Sequence, residues 1–184
     1  LAKMGLEYLM YRKGPVTLAA SLGTGFLRSN QQLLRPDIQF HIQPFSMNKP
    51  SISGLHDFNG FTTSVLQLRP QSVGEIILHS PNIDHHPLIK PNYLSKDYDC
   101  KILLEGIKIA RKITMVNPLR DLVMEEYAPG DHVRLDDDEA ILDWARETAV
   151  TIYHPSGTCK MGLDPLAVVD NKLKVYGIES LRVV

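Results

Sequence analysis

The chain has 184 residues, 43% hydrophobic and 22% charged, enough apolar material for a sizeable core. Its 20 Lys and Arg against 21 Asp and Glu leave a net charge of −1, which argues against a nucleic-acid or anionic-membrane protein, since either needs a basic excess against phosphates. No apolar run reaches the roughly 20 residues of a membrane helix, no stretch has signal-peptide layout, and two cysteines are too few for a disulfide scaffold or a four-cysteine zinc site. Leu1 and the apolar run Leu181-Arg182-Val183-Val184 are expected to be cut ends of a longer polypeptide, because an unpaired strand end leaves backbone groups unsatisfied.

In chain order, Leu6, Leu9 and Met10 stand at helical spacing. Lys13-Gly14-Pro15 predicts the stop: a cation, a glycine for the left-handed cap, then a residue that cannot continue the helix. Ile38-Gln39-Phe40-His41-Ile42-Gln43 alternates apolar and polar, as a strand with one buried face does, so His41 is expected toward solvent. Residues 48–54 form a turn-rich loop. Residues 64–69 read as another strand, and the long loop Pro70-Gln71-Ser72-Val73-Gly74 before Glu75-Ile76-Ile77-Leu78 predicts a hairpin joining the two.

Residues 97–113 read as an amphipathic helix, with Cys100, Leu103, Leu104, Ile107 and Ala110 on one face and Lys101, Glu105, Lys108 and Lys112 on the other. Residues 135–153 predict a second helix, capped by Asp136 with Glu139 in capping-box spacing and with Ile141, Ala145, Thr148 and Ile152 on its apolar face. The tail, residues 167–184, reads as short strands joined by a turn at Gly177. Hairpin strands and helices fall in separate blocks, so the fold class is α+β, with a mostly antiparallel sheet and flanking helices.

Of seven histidines, the adjacent pair His85-His86 points its rings in different directions within a Pro-flanked loop and lacks converging ligands for a metal. His154 is different. It ends the second predicted helix and opens Tyr153-His154-Pro155-Ser156-Gly157-Thr158-Cys159-Lys160-Met161-Gly162, where Pro and Gly force a turn. Histidine is the commonest general base, and loops held by rigid elements present such groups to clefts. On local features alone the position better suits a helix-terminal histidine that merely complements the dipole, since many helices end in a cation. Gly157 to Gly162 is not a phosphate-binding loop, because Leu163 replaces the lysine and a helix precedes it. Ser156 is not in a Gly-x-Ser-x-Gly elbow, which argues against a serine hydrolase built on His154 and Ser156. Cys159 has no second cysteine at redox spacing, and Cys100 reads as an inert core thiol. Trp144, Tyr153 and Phe61 suit either a substrate pocket or the core.

The decamer at His154, followed by Val168-Val169-Asp170, Leu173-Lys174-Val175-Tyr176-Gly177-Ile178 and Leu181-Arg182-Val183-Val184, closely resembles the C-terminal region of the glucose-methanol-choline oxidoreductases, and within them the insect glucose dehydrogenase-like members. Gly14-Pro15, Gly74-Glu75-Ile76, Pro91-Asn92-Tyr93-Leu94 and Leu104-Glu105-Gly106-Ile107 agree in order, while Val73 departs from the arginine many relatives carry.

The resemblance implies an FAD-dependent enzyme that oxidises the CH–OH of a small alcohol or sugar, with His154 as general base. It implies a substrate-binding domain over residues 1–154, incomplete at its N-terminal edge, and a catalytic-histidine turn with a partial return to the FAD domain over residues 155–184. Most of the Rossmann-like FAD domain, the flavin contacts and the second catalytic residue are expected outside the chain, so these residues alone are expected neither to hold FAD nor to turn over. The rest of the same polypeptide is then the expected partner, and a secreted location follows from the resemblance only. The alternative is a catalytically silent relative that serves as a binding or structural module.

Overall fold

The computed structural model describes residues 2–17, 19, 21–47 and 54–184; most of the loop expected at 48–54 lies outside the described residues. The elements are α1 (Ala2–Tyr11), β1 (Gly23–Leu27), β2 (Ile38–Gln43), β3 (Thr62–Gln67), β4 (Glu75–Ile77), β5 (Leu88–Lys90), α2 (Asp97–Thr114) and α3 (Asp138–Thr148), with short 3-10 turns at Pro15–Thr17 and Leu119–Asp121. Two compact units share them: residues 1–73 with 92–147, and residues 74–91 with 148–184. The fold class is α+β with antiparallel sheets, as the sequence implies.

In the first unit β2 is the central strand, antiparallel to β1 (Gly25 opposite Phe40) and to β3 (Phe40 opposite Val65). Its alternation places Ile38 and Phe40 in the core, while His41 is half-buried and bonded through Nε2 to the Gln39 amide at 2.8 Å. The expected hairpin between the third and fourth strands does not form. β3 pairs with β2, and β4 pairs with β5 in the second unit (Ile76 opposite Ile89). The cause lies in the connecting loop, whose backbone bonds go to a side chain instead of to a facing strand.

That side chain is Asp99, 1% exposed in the first turn of α2. One carboxylate oxygen accepts the Gln67 amide (2.9 Å) and the Gln71 N–H (2.9 Å), and the other accepts the Ser72 N–H (2.7 Å). Burial by itself raises its pKa, but the hydrogen bonds from Gln71, Ser72 and Gln67 outweigh it and hold the carboxyl below the usual range. Ser72 Oγ in turn accepts the N–H groups of Ser95 and Lys96 just ahead of α2 (3.1 and 3.3 Å). A buried carboxylate is tolerated because each oxygen is satisfied.

The predicted apolar face of α2 is only part of the buried surface. Leu104 and Ile107 pack with Val133, Ile141 and Ala145, whereas Ile102 and Ala110 pack with Ile38 and Phe40 of the sheet. The helix is therefore covered on two sides, which a single-face pattern does not describe. Gly106 permits the close approach to β3: a Cβ there would lie 2.4 Å from Val65 Cγ1. Arg111 is buried and forks onto Glu126 (2.8 and 2.6 Å), while also donating to the carbonyls of Val133 (2.7 Å) and Gly130 (3.1 Å), and so binds the 126–133 loop to α2.

Two caps differ from expectation. α1 stops at Tyr11, and Arg12 takes the left-handed conformation (φ 53°) with its N–H on the Tyr8 carbonyl; Gly14 (φ 93°) provides a second reversal. Leu6, Leu9 and Met10 are each more than half exposed, so the apolar spacing of α1 does not serve a core within this chain. α3 is capped by Asp137, whose Oδ1 accepts the Ala140 N–H at 3.0 Å. Asp136 is instead held by the Arg134 guanidinium (2.9 and 2.6 Å), and the two acids compete for one cap.

Asp99→Ala in the full-length protein should cost about 3 kcal/mol, since it strands buried donors at roughly 1–3 kcal/mol each. Because the folded pKa is depressed, the contribution of Asp99 is complete above its unfolded value of about 3.9 and disappears as pH falls through the folded value. Urea midpoints should therefore separate the two proteins at pH 7, and the gap should narrow only as pH falls below the ordinary carboxylate value. Gly106→Ala should cost about 1–3 kcal/mol by overpacking against Val65, read as an earlier thermal midpoint.

Candidate active-site turn

α3 ends at Thr148, six residues before His154. The expected helix to residue 153 is shortened because Ala145 is its last buried anchor, and the β-branched run Val150-Thr151-Ile152 favours extended backbone. His154 is thus outside the last helical turn, and the dipole reading of it is lost, since that effect fades within one turn.

His154 stands in irregular backbone of the second unit, exposed like its neighbours. Tyr153 before it is left-handed (φ 61°), with its N–H on Thr151 Oγ1 at 3.0 Å. Gly157 after it is also left-handed (φ 85°). Two left-handed residues thus flank the exposed His154 and Pro155. Among the described residues its ring makes no hydrogen bond or ion pair, to Ser156 or to any other group, so both nitrogens are open to an outside partner.

The far side of the turn is anchored. Residues 160–162 lie beside Val168 and Val169: the Lys160 carbonyl accepts the Val168 N–H (2.9 Å), Gly162 N–H donates to Val169 (3.1 Å), and Met161 bridges Val169 in parallel. Val169 is 2% exposed. On its other side Val175 bridges it antiparallel, and Tyr176 N–H donates to the Val168 carbonyl at 3.0 Å. The Tyr176 hydroxyl then reaches across to the Gly162 carbonyl at 2.9 Å. Lys160 Nζ pairs with Asp164 at 2.7 Å, and this bond, with the Leu166 N–H, lowers the Asp164 pKa.

Asp170 Oδ1 accepts the N–H groups of Lys174 (2.9 Å) and Lys172 (2.8 Å), closing the turn at 170–174, and these bonds lower its pKa. The tail expected as strands is a ladder of isolated bridges, including Lys174 with Arg182, around Gly177 (φ 76°). Bridges replace strands because side-chain oxygens take several of the amides. The ties through Asp164 and Tyr176 were not visible in the sequence; only the short Lys160 to Asp164 spacing hinted at one.

Besides His41, three of the other histidines are engaged locally. His79 and His85 stack in parallel, 6.2 Å apart, and His56 bonds Ser46 Oγ at 2.9 Å while stacking on Phe58 at 4.8 Å. Among the described residues no group of three or more His, Cys, Asp or Glu is placed to hold a metal. Cys100 is buried with its thiol toward the Leu94 carbonyl at 3.4 Å, and Cys159 is exposed. Trp144 packs against the core between α2 and α3, whereas Tyr153 is largely exposed. Gly23-Thr24-Gly25 is the one Gly-x-Gly in the sequence; Arg28 occupies the third glycine position of a dinucleotide loop, and the segment lies in β1.

The motif glycine Gly74 has a structural reason of its own: a Cβ there would meet the Lys90 carbonyl at 2.3 Å, where β4 and β5 close. Val73 beside it is exposed, and its carbonyl accepts the Asn92 amide at 3.0 Å.

The sequence pattern of the GMC oxidoreductase family matches residues 70–184. The chain is 40% identical over 178 residues to an alcohol dehydrogenase [acceptor] of Pseudomonas putida, covering 97% of this chain and 32% of that protein. It is 38% identical over 187 residues to the mitochondrial choline dehydrogenase of Mus musculus, covering 98% and 30%. The chain spans about a third of the length of these relatives. Its fold matches formate oxidase of Aspergillus oryzae RIB40, in a structure concerned with modification of that enzyme's FAD, with TM-score 0.82, 25% identity, and coverage of 98% of this chain and 36% of that one. It also matches pyridoxine 4-oxidase from Mesorbium loti in fold, with TM-score 0.75 at 23% identity over 86% of this chain and 31% of that one. With its histidine turn inside the matched region, the chain belongs to the glucose-methanol-choline (GMC) oxidoreductase family.

Proposed function

We propose that the chain is the substrate-side part of an FAD-dependent oxidoreductase that oxidises the CH–OH of a small alcohol or sugar, with His154 as general base. The observation that carries this reading is the outward, unengaged imidazole of His154 on an anchored turn within the family match. Residues 1–154 act as the substrate-binding domain, and residues 155–184 carry the histidine turn and begin the return to the FAD domain. The relatives named for alcohol and choline support an alcohol carbinol as the reacting group; the narrower likeness to insect glucose dehydrogenases rests on the sequence resemblance.

FAD, when bound, supplies the hydride acceptor. The neutral imidazole of His154 takes the hydroxyl proton, which builds alkoxide character on the carbinol oxygen and pushes the hydride from carbon. The imidazolium so formed then faces that oxygen and stabilises its charge.

The partner is the rest of the same polypeptide. This chain exposes 14,562 Å², whereas its two units counted as separate compact monomers would expose roughly 10,600 Å² together. The excess includes the apolar side of α1 and the β4–β5 hairpin, where Ile76 and Ile89 face each other and are both more than half exposed. Apolar faces of that size are normally covered. The isolated residues 1–184 are then expected to be inactive and free of flavin, and stoichiometric flavin on the purified piece would contradict that.

In the full-length protein, His154→Ala should keep its flavin but lose about 10²- to 10⁴-fold in the rate of flavin reduction by substrate. Stopped-flow bleaching of the flavin measures that rate, and an unchanged rate would sink the assignment.

A further inference from the structure

We propose that Tyr176 is a positioning residue for the histidine turn: its hydroxyl, donated to the Gly162 carbonyl at 2.9 Å, clasps the segment that carries His154. The inference rests on the reading of His154 as general base and names what aims it.

The backbone from Tyr153 to Cys159 has no regular pairing, and His154 makes no side-chain bond among the described residues. The imidazole's direction is therefore inherited from the ends of the segment. One end leaves α3 through an extended run. The other is Lys160-Met161-Gly162, and its attachment determines how far the turn can swing. The backbone holds this end only through Val168 and Val169, by three N–H donations spread over two residues.

Among the described residues, Tyr176 is the single side chain whose hydrogen bond spans the ladder. Its own N–H holds Val168 on one side, and its hydroxyl reaches past buried Val169 to Gly162 on the other. It thus ties both outer segments across the middle one. Gly162 is open enough at its carbonyl to receive the phenol, and a side chain there would strike the Asp164 carboxylate at 2.9 Å. The Lys160–Asp164 pair braces the same corner.

A loosened turn does not remove the base; it spreads the imidazole over more orientations, so fewer encounters place it at hydrogen-bond reach of the substrate hydroxyl. The cost falls on the chemical step and leaves substrate affinity in place.

The test uses the full-length flavoprotein and Tyr176→Phe, which keeps the ring and removes one hydrogen bond. Hydrogen exchange in peptides covering residues 153–162 should accelerate about threefold to tenfold, with other peptides unchanged. Flavin reduction should slow by a similar factor at unchanged substrate KM. In a His154→Asn background the added Tyr176→Phe should have no further effect on rate, because the tyrosine acts through the histidine. Wild-type exchange and rate in Tyr176→Phe would overturn the proposal. An equal slowing in both backgrounds would also overturn it, yet leave His154 as base. If His154→Asn alone left the rate intact, the base assignment would fail, while the exchange data would still decide whether Tyr176 holds the turn. Should Tyr176→Phe fail to retain flavin, exchange on the flavin-free protein decides instead: lost protection confined to 153–162 supports the clasp, and loss throughout the chain defeats it.

Discussion

The first unit hangs on one buried carboxylate. Asp99 sits in the opening turn of α2 and takes the amides of the loop that leaves β3, so three things are settled together: where β3 stops, where α2 starts, and which way the chain departs between them. A carboxylate hidden from water is unfavourable unless every oxygen is hydrogen-bonded, and here residues 67–72 supply those donors. The Asp99 requirement also explains why the strand beginning at Glu75 pairs with β5 and not back onto β3. Around it α2 is packed on both sides, with Gly106 allowing the sheet to approach and Arg111 securing the loop that delivers Val133 to the core.

The second unit follows a different logic. It has little buried apolar surface, and its order comes from short-range hydrogen bonds around Val169. Carboxylates do much of this: Asp164 and Asp170 each collect backbone N–H groups, and each has a lowered pKa as a result. Such a frame keeps a turn in place without a helix or sheet behind it.

Parts of the fold could be read directly from residue pattern. β2 is continuous in its alternation, and α2 carries its apolar and charged residues at the right spacing, so both elements fall where expected to within a residue. The motif glycines were legible as markers, though not as mechanisms: Gly74 and Gly106 matter because backbone or Val65 would occupy the place of a Cβ. The hairpin at 64–78 was misread because local turn chemistry looks the same whether the strands beside it pair with each other or with distant partners. The end of α3 was overrun because Ile152 continues the helical spacing past the point where packing stops at Ala145. Asp136 and Asp137 are equivalent as caps by type, and only the Arg134 fork on Asp136 separates them.

The sequence by itself determined the class of the fold and the family, because these depend on periodicity and on a contiguous motif. Tertiary structure alone decided which strands pair, which acid caps and which is buried, and what holds the histidine turn. Apart from the cap, which the neighbouring Arg134 decides, those outcomes depend on partners remote along the chain: Asp99 meets Gln71 and Ser72, 28 and 27 residues away, and Tyr176 meets Gly162, 14 residues away. The surface left uncovered on α1 obeys the same principle, since an apolar stripe states that something must cover it and does not state what.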